Sequence, residues 1–170
     1  LQSRGLGDVY KRQAQARIAP HIVRTPLLRV PALDEALGCQ VYLKHEGFQT
    51  IGAFKLRGAL NKALSLSEEE LGRGLVCASS GNHAQGVAYA AHKLGTQAVI
   101  VMPTNANPVK LAGVKRWGGQ VELVGTLSSQ REERAAQLVR ERGMVEEFVT
   151  AAERRRMERS ADNGGLSPAT

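Results

Sequence analysis

Residues 75–143 repeat one arrangement three times: a short apolar run, a turn, and a longer segment at helical spacing that stops at glycine. The runs are Leu75-Val76-Cys77-Ala78, residues 98–102 and residues 121–124. The helical segments are residues 85–94, 108–117 and 130–142, closed by Gly95, Gly118-Gly119 and Gly143. Strands joined through helices at this spacing pair in parallel with right-handed crossovers. Runs that are apolar at every position, instead of every second one, need cover on both faces of the sheet. The expected fold class is therefore α/β, an open parallel sheet with flanking helices. In such sheets ligands bind beyond the carboxyl ends of the strands, which tells where to look for chemistry.

Upstream the pattern is less regular. Residues 1–13 have no useful hydrophobic period and read as a tail foreign to the domain. Residues 14–19 read as the end of a helix stopped by Pro20. Thr25-Pro26-Leu27-Leu28 reads as extended, because a residue before proline is pushed away from helix. Residues 31–37 suit a short helix with Gly38 as its stop, residues 41–44 a strand and residues 45–52 a loop. Apolar spacing over residues 54–66 puts Lys55 at a helix start, and Ser67 with Glu70 is a capping-box pair. Past Gly143, residues 145–149 could add a fourth strand, but residues 151–160 are arginine-rich and residues 161–170 polar. Residues 144–170 thus read as a divergent or disordered tail.

With 170 residues, 42% of them hydrophobic and 23% charged, the chain can bury a core of its own. Its 18 glycines and 4% aromatics suit tight turns and alanine-packed helices. A net charge of +7 raises the question of nucleic acid. The positive residues are spread along the chain, and the one dense run, residues 154–159, is broken by Met157 and Glu158. No zinc-finger spacing or aromatic RNA-binding motif accompanies them, so no nucleic-acid partner is expected. A small carboxylate or phosphorylated ligand suits the charge equally well. Cys39 and Cys77 lack metal or disulfide spacing and read as small buried residues in a reducing compartment. Without a signal peptide or a long apolar run, the expectation is a cytoplasmic protein with no membrane partner.

Two stretches stand out chemically. In Gly52-Ala53-Phe54-Lys55-Leu56-Arg57-Gly58-Ala59 a lysine sits among small and apolar residues. Burial there would disfavour the ammonium and free an amine for Schiff-base chemistry; the plain alternative is a surface lysine on a first helical turn. Ser79-Ser80-Gly81-Asn82-His83-Ala84-Gln85-Gly86 lies where a strand hands over to a helix. Main-chain N–H groups, two hydroxyls and a helix N-terminus there make a nest for a carboxylate or phosphate. An ordinary N-cap would need only one Ser or Asn.

Lys44-x-Glu46, Gln49-x-x-Gly52-Ala53-Phe54-Lys55-x-Arg57-Gly58-Ala59 and the Ser79–Gly86 run together resemble the serine/threonine dehydratase and serine racemase family. These are fold-type II pyridoxal-phosphate enzymes, grouped structurally with the tryptophan synthase β chain. Thr25-Pro26-Leu27, Met102-Pro103, Pro108 and Lys110 follow the same pattern, so the resemblance covers residues 18–143. It implies pyridoxal 5'-phosphate as cofactor, no metal, and an amino-acid substrate. It implies Lys55 as Schiff-base lysine and α-proton base, Phe54 packing near the cofactor ring, and Asn82 bonded to the cofactor's phenolic oxygen. Ser79, Ser80, Gly81, Asn82, His83 and Ala84 would cradle the substrate carboxylate. Ser80 stands where racemases keep a second acid/base hydroxyl and many threonine dehydratases carry Ala. His83 is expected to be structural, capping its helix, and not a base. The implied reaction is β-elimination from threonine or serine to a 2-oxo acid and ammonia, with racemisation as the alternative.

The chain departs from that family after Gly143. The Pro-Phe-Asp-Asp and Ala-Gly-Gln-Gly-Thr stretches, the glycine-rich phosphate loop and the Ser or Cys meeting the pyridine nitrogen do not occur. Asn163-Gly164-Gly165-Leu166 has too few glycines and no strand before it, and reads as coincidence. The expectation is an N-terminal fragment or a reading frame lost near Gly143, with a homo-oligomer expected of the full-length protein. Residues 14–51 would begin the large cofactor domain and residues 52–143 would be the small α/β domain. Weak cofactor binding and poor turnover follow. Two other readings remain: a non-catalytic α/β module that keeps only the carboxylate nest, and a basic nucleic-acid-binding domain resting on charge alone.

Overall fold

The computed structural model describes residues 2–147, with side chains from Asp8 onward. The repeat downstream of Gly74 becomes β3 (Leu75–Ala78), α5 (Asn82–Leu94), β4 (Ala98–Met102), α6 (Pro108–Arg116), β5 (Gln120–Leu123), α7 (Ser128–Arg142) and β6 (Val145–Glu146). The strands form one parallel sheet in the order β5-β4-β3-β6, with Leu75 opposite Ala98, Ile100 opposite Val121 and Leu75 opposite Val145. Gly95 and Gly143, at φ 68° and 65°, end α5 and α7 in the left-handed conformation that a glycine adopts without steric cost.

Alternation along the strands divides the core in two. Leu75, Cys77, Ala98, Ile100 and Met102 meet Ala84, Val87, Ala88 and Ala91 of α5 and Val114 of α6 on one face. Val76, Val99 and Val101 meet Ala135 and Leu138 of α7, with Met144, on the other. Both faces are covered, which is why the runs read as continuously apolar. The route also fixes a special place. The chain steps outward from β3 to β5, then α7 carries it over the opposite face to lay β6 beside β3. Strand order therefore reverses at β3, and the carboxyl end of β3 opens at that reversal.

The upstream part is attached to this body through helices. It comprises α1 (Gln2–Ile18), β1 (Leu27–Arg29), α2 (Pro31–Leu37), β2 (Tyr42–Lys44), α3 (Lys55–Ala63) and α4 (Glu68–Gly72). β1 and β2 pair antiparallel as a separate ribbon, and all six residues are exposed. α3 buries Leu56, Ala59, Leu60 and Ala63 against α5. Ser67 and Glu70 complete both halves of the capping box on α4.

Several boundaries differ from the sequence reading. α1 runs from Gln2, so residues 2–13 are helical despite their lack of hydrophobic period; among its described side chains Ile18, in the last turn, is buried. Arg17 Nη1 in that turn also donates to Asn61 Oδ1 at 2.7 Å. α5 begins at Asn82 and not at Gln85, because extended Gly81 already serves as N-cap. Order continues past Gly143 into β6, with Met144 and Glu147 buried. Cys77 is buried as expected, and burial pushes its thiol pKa up, but Cys39 is exposed just after α2. The expected tail over residues 148–170, and with it Asn163-Gly164-Gly165-Leu166, lies outside the described residues.

Candidate functional site

Lys55 is the first residue of α3, and Asn82 the first of α5. What brings these helix starts together is a close approach of backbones. A Cβ built on Gly86 would stand 3.2 Å from Ala59 Cβ and 3.4 Å from the carbonyl oxygen of Lys55. Only small residues permit that crossing, and Gly86 lies about one helical turn from Asn82. The Lys55 side chain is half-buried, between the enclosed amine and the surface lysine that the sequence left open, and its Nζ lies 5.4 Å from the centroid of the Phe54 ring. That ring is 59% exposed, an open aromatic face beside an amine.

The loop after β3 is built for access. Ser79 N donates to Val101 O at 3.2 Å, carrying the sheet ladder one residue beyond β3. Ser79 is half-buried and Ser80 exposed, and Ser80 makes no hydrogen bond among the described residues. Gly81 is extended (φ −120°, ψ −151°), and a Cβ there would meet nothing within 4 Å. Neither backbone strain nor packing asks for glycine at this position; the missing side chain leaves the N-terminus of α5 open, where orphan N–H groups attract an anion. Asn82 is exposed, whereas His83 and Ala84 are buried and face inward. Of the six residues expected to form the carboxylate cradle, the structure thus places Ser79, Ser80, Gly81 and Asn82 at the opening. The side chains of His83 and Ala84 point away from it.

His83 makes a contact outside its own helix. Its Nε2 lies 3.3 Å from the carbonyl oxygen of Glu147, and since a carbonyl only accepts, that nitrogen carries the proton. The ring therefore ties the start of α5 to the end of β6, across the strand reversal. Burial pushes the Glu147 carboxyl itself up to about 8, with Lys62 opposing the shift.

Sequence reasoning attached no role to a cluster that flanks Lys55 on both sides in the chain. Arg57 grips Glu46 with Nε and Nη2, each at 2.7 Å. Thr25 Oγ1 donates to the same carboxylate at 2.6 Å, and Lys44 Nζ to Thr25 O at 2.5 Å. Gln49, 4% exposed, pairs its amide with both Val23 N and Val23 O at 3.2 and 2.8 Å. The guanidinium hydrogen bonds hold the Glu46 carboxyl down to about 2 against burial that would raise it. This brace pins residues 23–49 onto the first turn of α3, two positions from Lys55. The opposite charges at 46 and 57 were visible in the motif, but nothing in their spacing shows that a loop folds one onto the other.

A family described as "Pyridoxal-phosphate dependent enzyme" matches residues 18–148. Serine racemase of Oryza sativa subsp. indica is 43% identical over 134 residues, spanning 79% of this chain and 40% of that protein. L-threonine ammonia-lyase of Thermotoga maritima is also 43% identical, over 79% of this chain and 33% of that protein. The solved structure of maize serine racemase superposes with a TM-score of 0.78 at 41% identity, covering 81% of this chain and 42% of its own. The chain thus spans about 40% or less of the length of the curated relatives it matches. With the match running from Ile18 through the Lys55 and Ser79 stretches to the end of the described sheet, the chain belongs to the pyridoxal-phosphate dependent enzyme family.

Proposed function

We propose that this chain supplies the lysine and the carboxylate cradle of an enzyme that removes the β-hydroxyl of a small hydroxy amino acid, threonine or serine, giving a 2-oxo acid and ammonia. One observation carries the reading: Gly86 lets α3 approach α5 closely enough to set Lys55 about one turn from the open start of α5. The residues present fit the ring end of pyridoxal phosphate. Lys55 offers the amine, Phe54 an exposed flat face beside it, Asn82 an amide donor, and Gly81 a place that a Cβ would fill. When bound, that group supplies an electron sink for charge developing at the substrate α-carbon.

The chain's own residues would do the rest. Lys55 would hold the cofactor's aldehyde carbon and, once released by substrate, take the α-proton on Nζ. Main-chain N–H groups of residues 80–82 and the Ser79 hydroxyl would hold the α-carboxylate, turning the α-proton toward the lysine side. Phe54 would limit water at the amine. Racemisation is the second reading, favoured by the exposed Ser80 hydroxyl, which is engaged by no other described group and so could return a proton to the opposite face.

The test is to incubate the purified chain with pyridoxal phosphate, reduce with borohydride and locate the added mass. Attachment at Lys55, lost in Lys55→Ala, is the expected result. Attachment spread over several lysines, or unaffected by Lys55→Ala, would leave a non-catalytic module as the better reading. Chiral analysis of serine after incubation, with Ser80→Ala alongside, separates elimination from racemisation.

A further inference from the structure

Lys110 occupies the first turn of α6, where its own helix has no use for it. A cation there faces the positive end of the helix dipole. Asn107 already caps that helix, with Oδ1 2.8 Å from Val109 N. Among the described residues no carboxylate pairs with Lys110. Among the described residues its ammonium has one hydrogen-bond partner, on another helix: Nζ is 2.6 Å from Asn82 Oδ1, at the start of α5. An ammonium has donors only, so the contact must use the oxygen of the Asn82 amide. The NH2 edge is thereby turned away from Lys110, and it makes no hydrogen bond among the described residues.

We infer that Lys110 is a positioning residue that clamps the Asn82 carboxamide with its NH2 group presented as a donor to an anionic oxygen of the bound cofactor. This rests on the reading above, in which Asn82 faces the cofactor. Unclamped, an exposed asparagine amide can turn its oxygen as readily as its nitrogen toward the ligand, and oxygen against an anionic oxygen repels. The ammonium also polarises the amide, strengthening its N–H groups as donors. β4 and α6 thus reach into the site through a lysine that would touch neither substrate nor cofactor.

The clamp and the functional reading are tested separately on the whole chain. In the cofactor-free protein labelled with nitrogen-15, Lys110→Met should shift the Asn82 side-chain NH2 resonances and narrow the difference between the two protons. Lys110→Arg, which also offers donors alone, should largely restore them. Pyridoxal phosphate capture at Lys55, trapped by borohydride, should weaken roughly tenfold in Lys110→Met, as for loss of one charge-assisted hydrogen bond. It should weaken no further when Lys110→Met is added to Asn82→Ala. NH2 resonances unmoved by Lys110→Met overturn the clamp, whatever the cofactor does. Additive losses in the double variant show Lys110 acting by charge alone and overturn its role through Asn82. If the wild-type chain captures no cofactor at Lys55 while the resonances still report the clamp, the functional reading fails, and the assigned purpose of the clamp fails with it.

Discussion

Replacing Glu46 by Gln keeps the size of the side chain and removes the charge that Arg57 grips. The magnitude follows from the titration of the carboxyl. Held at about 2 against an ordinary 4.5, ionised Glu46 favours the folded state. At about 1.4 kcal/mol per unit this difference is worth about 3 kcal/mol. Arg57 is 31% exposed and Glu46 17%, so solvent screening lowers the expected loss to about 2 kcal/mol. The sign is set by the direction of the shift. A depressed carboxyl pKa gives stability that is present above the unfolded value and lost as pH falls through the folded one. Glu46→Gln should therefore cost about 2 kcal/mol at pH 7, and the gap to wild type should close between pH 4.5 and about 2. Urea unfolding followed by circular dichroism at pH 7, 4 and 3 measures it, with other acidic groups common to both proteins. A gap that stays constant as pH falls would show that the variant acts through packing and that the ion pair carries none of the stability. Because the brace holds the first turn of α3, cofactor capture at Lys55 should weaken along with it.

Other consequences are as direct. Gly86→Val should separate α3 from α5, destabilise by about 1–3 kcal/mol and lower cofactor capture, whereas Gly86→Ala, needing a shift of only tenths of an ångström, should do much less; equal effects in the two variants would deny the close approach its importance. Gln49→Leu leaves both polar groups of the Val23 backbone without their partner and should cost about 2–4 kcal/mol by chemical denaturation. Glu147→Gln tests a shift of the opposite sign: a raised carboxyl pKa means stability lost as pH rises toward about 8, so the variant should gain over wild type at pH 8–9 and match it near pH 4.

Much of this molecule was legible before folding. Continuous apolar runs specified a sheet covered on both faces, and glycines at 95 and 143 specified where α5 and α7 stop, because both signals are local. The Lys55 and Ser79 stretches stood out as candidates for the same reason: a lysine behind small residues, and a strand-to-helix turn richer in polar groups than a cap requires. The start of α5 was misplaced by three residues, since Asn82, His83 and Ala84 look like loop until Gly81 takes the cap.

What the sequence could not supply is which distant residues meet. The Glu46–Arg57 pair, the Gln49–Val23 pairing and the Lys110–Asn82 clamp span 11, 26 and 28 positions, and no periodicity encodes them. The helical character of α1 before residue 14 was equally hidden, for that segment shows little hydrophobic period, and none of the described side chains of α1 ahead of Ile18 is buried. The sequence by itself determined the α/β class and singled out Lys55 and the Ser79–Gly86 turn as candidates, because propensity and hydrophobic period act over a few residues. Tertiary structure alone decided that Lys55 is half-open beside Phe54, that His83 reaches the end of β6, and that Lys110 reaches Asn82. Those facts depend on how helices cross, and a crossing is set by side chains far apart in the chain.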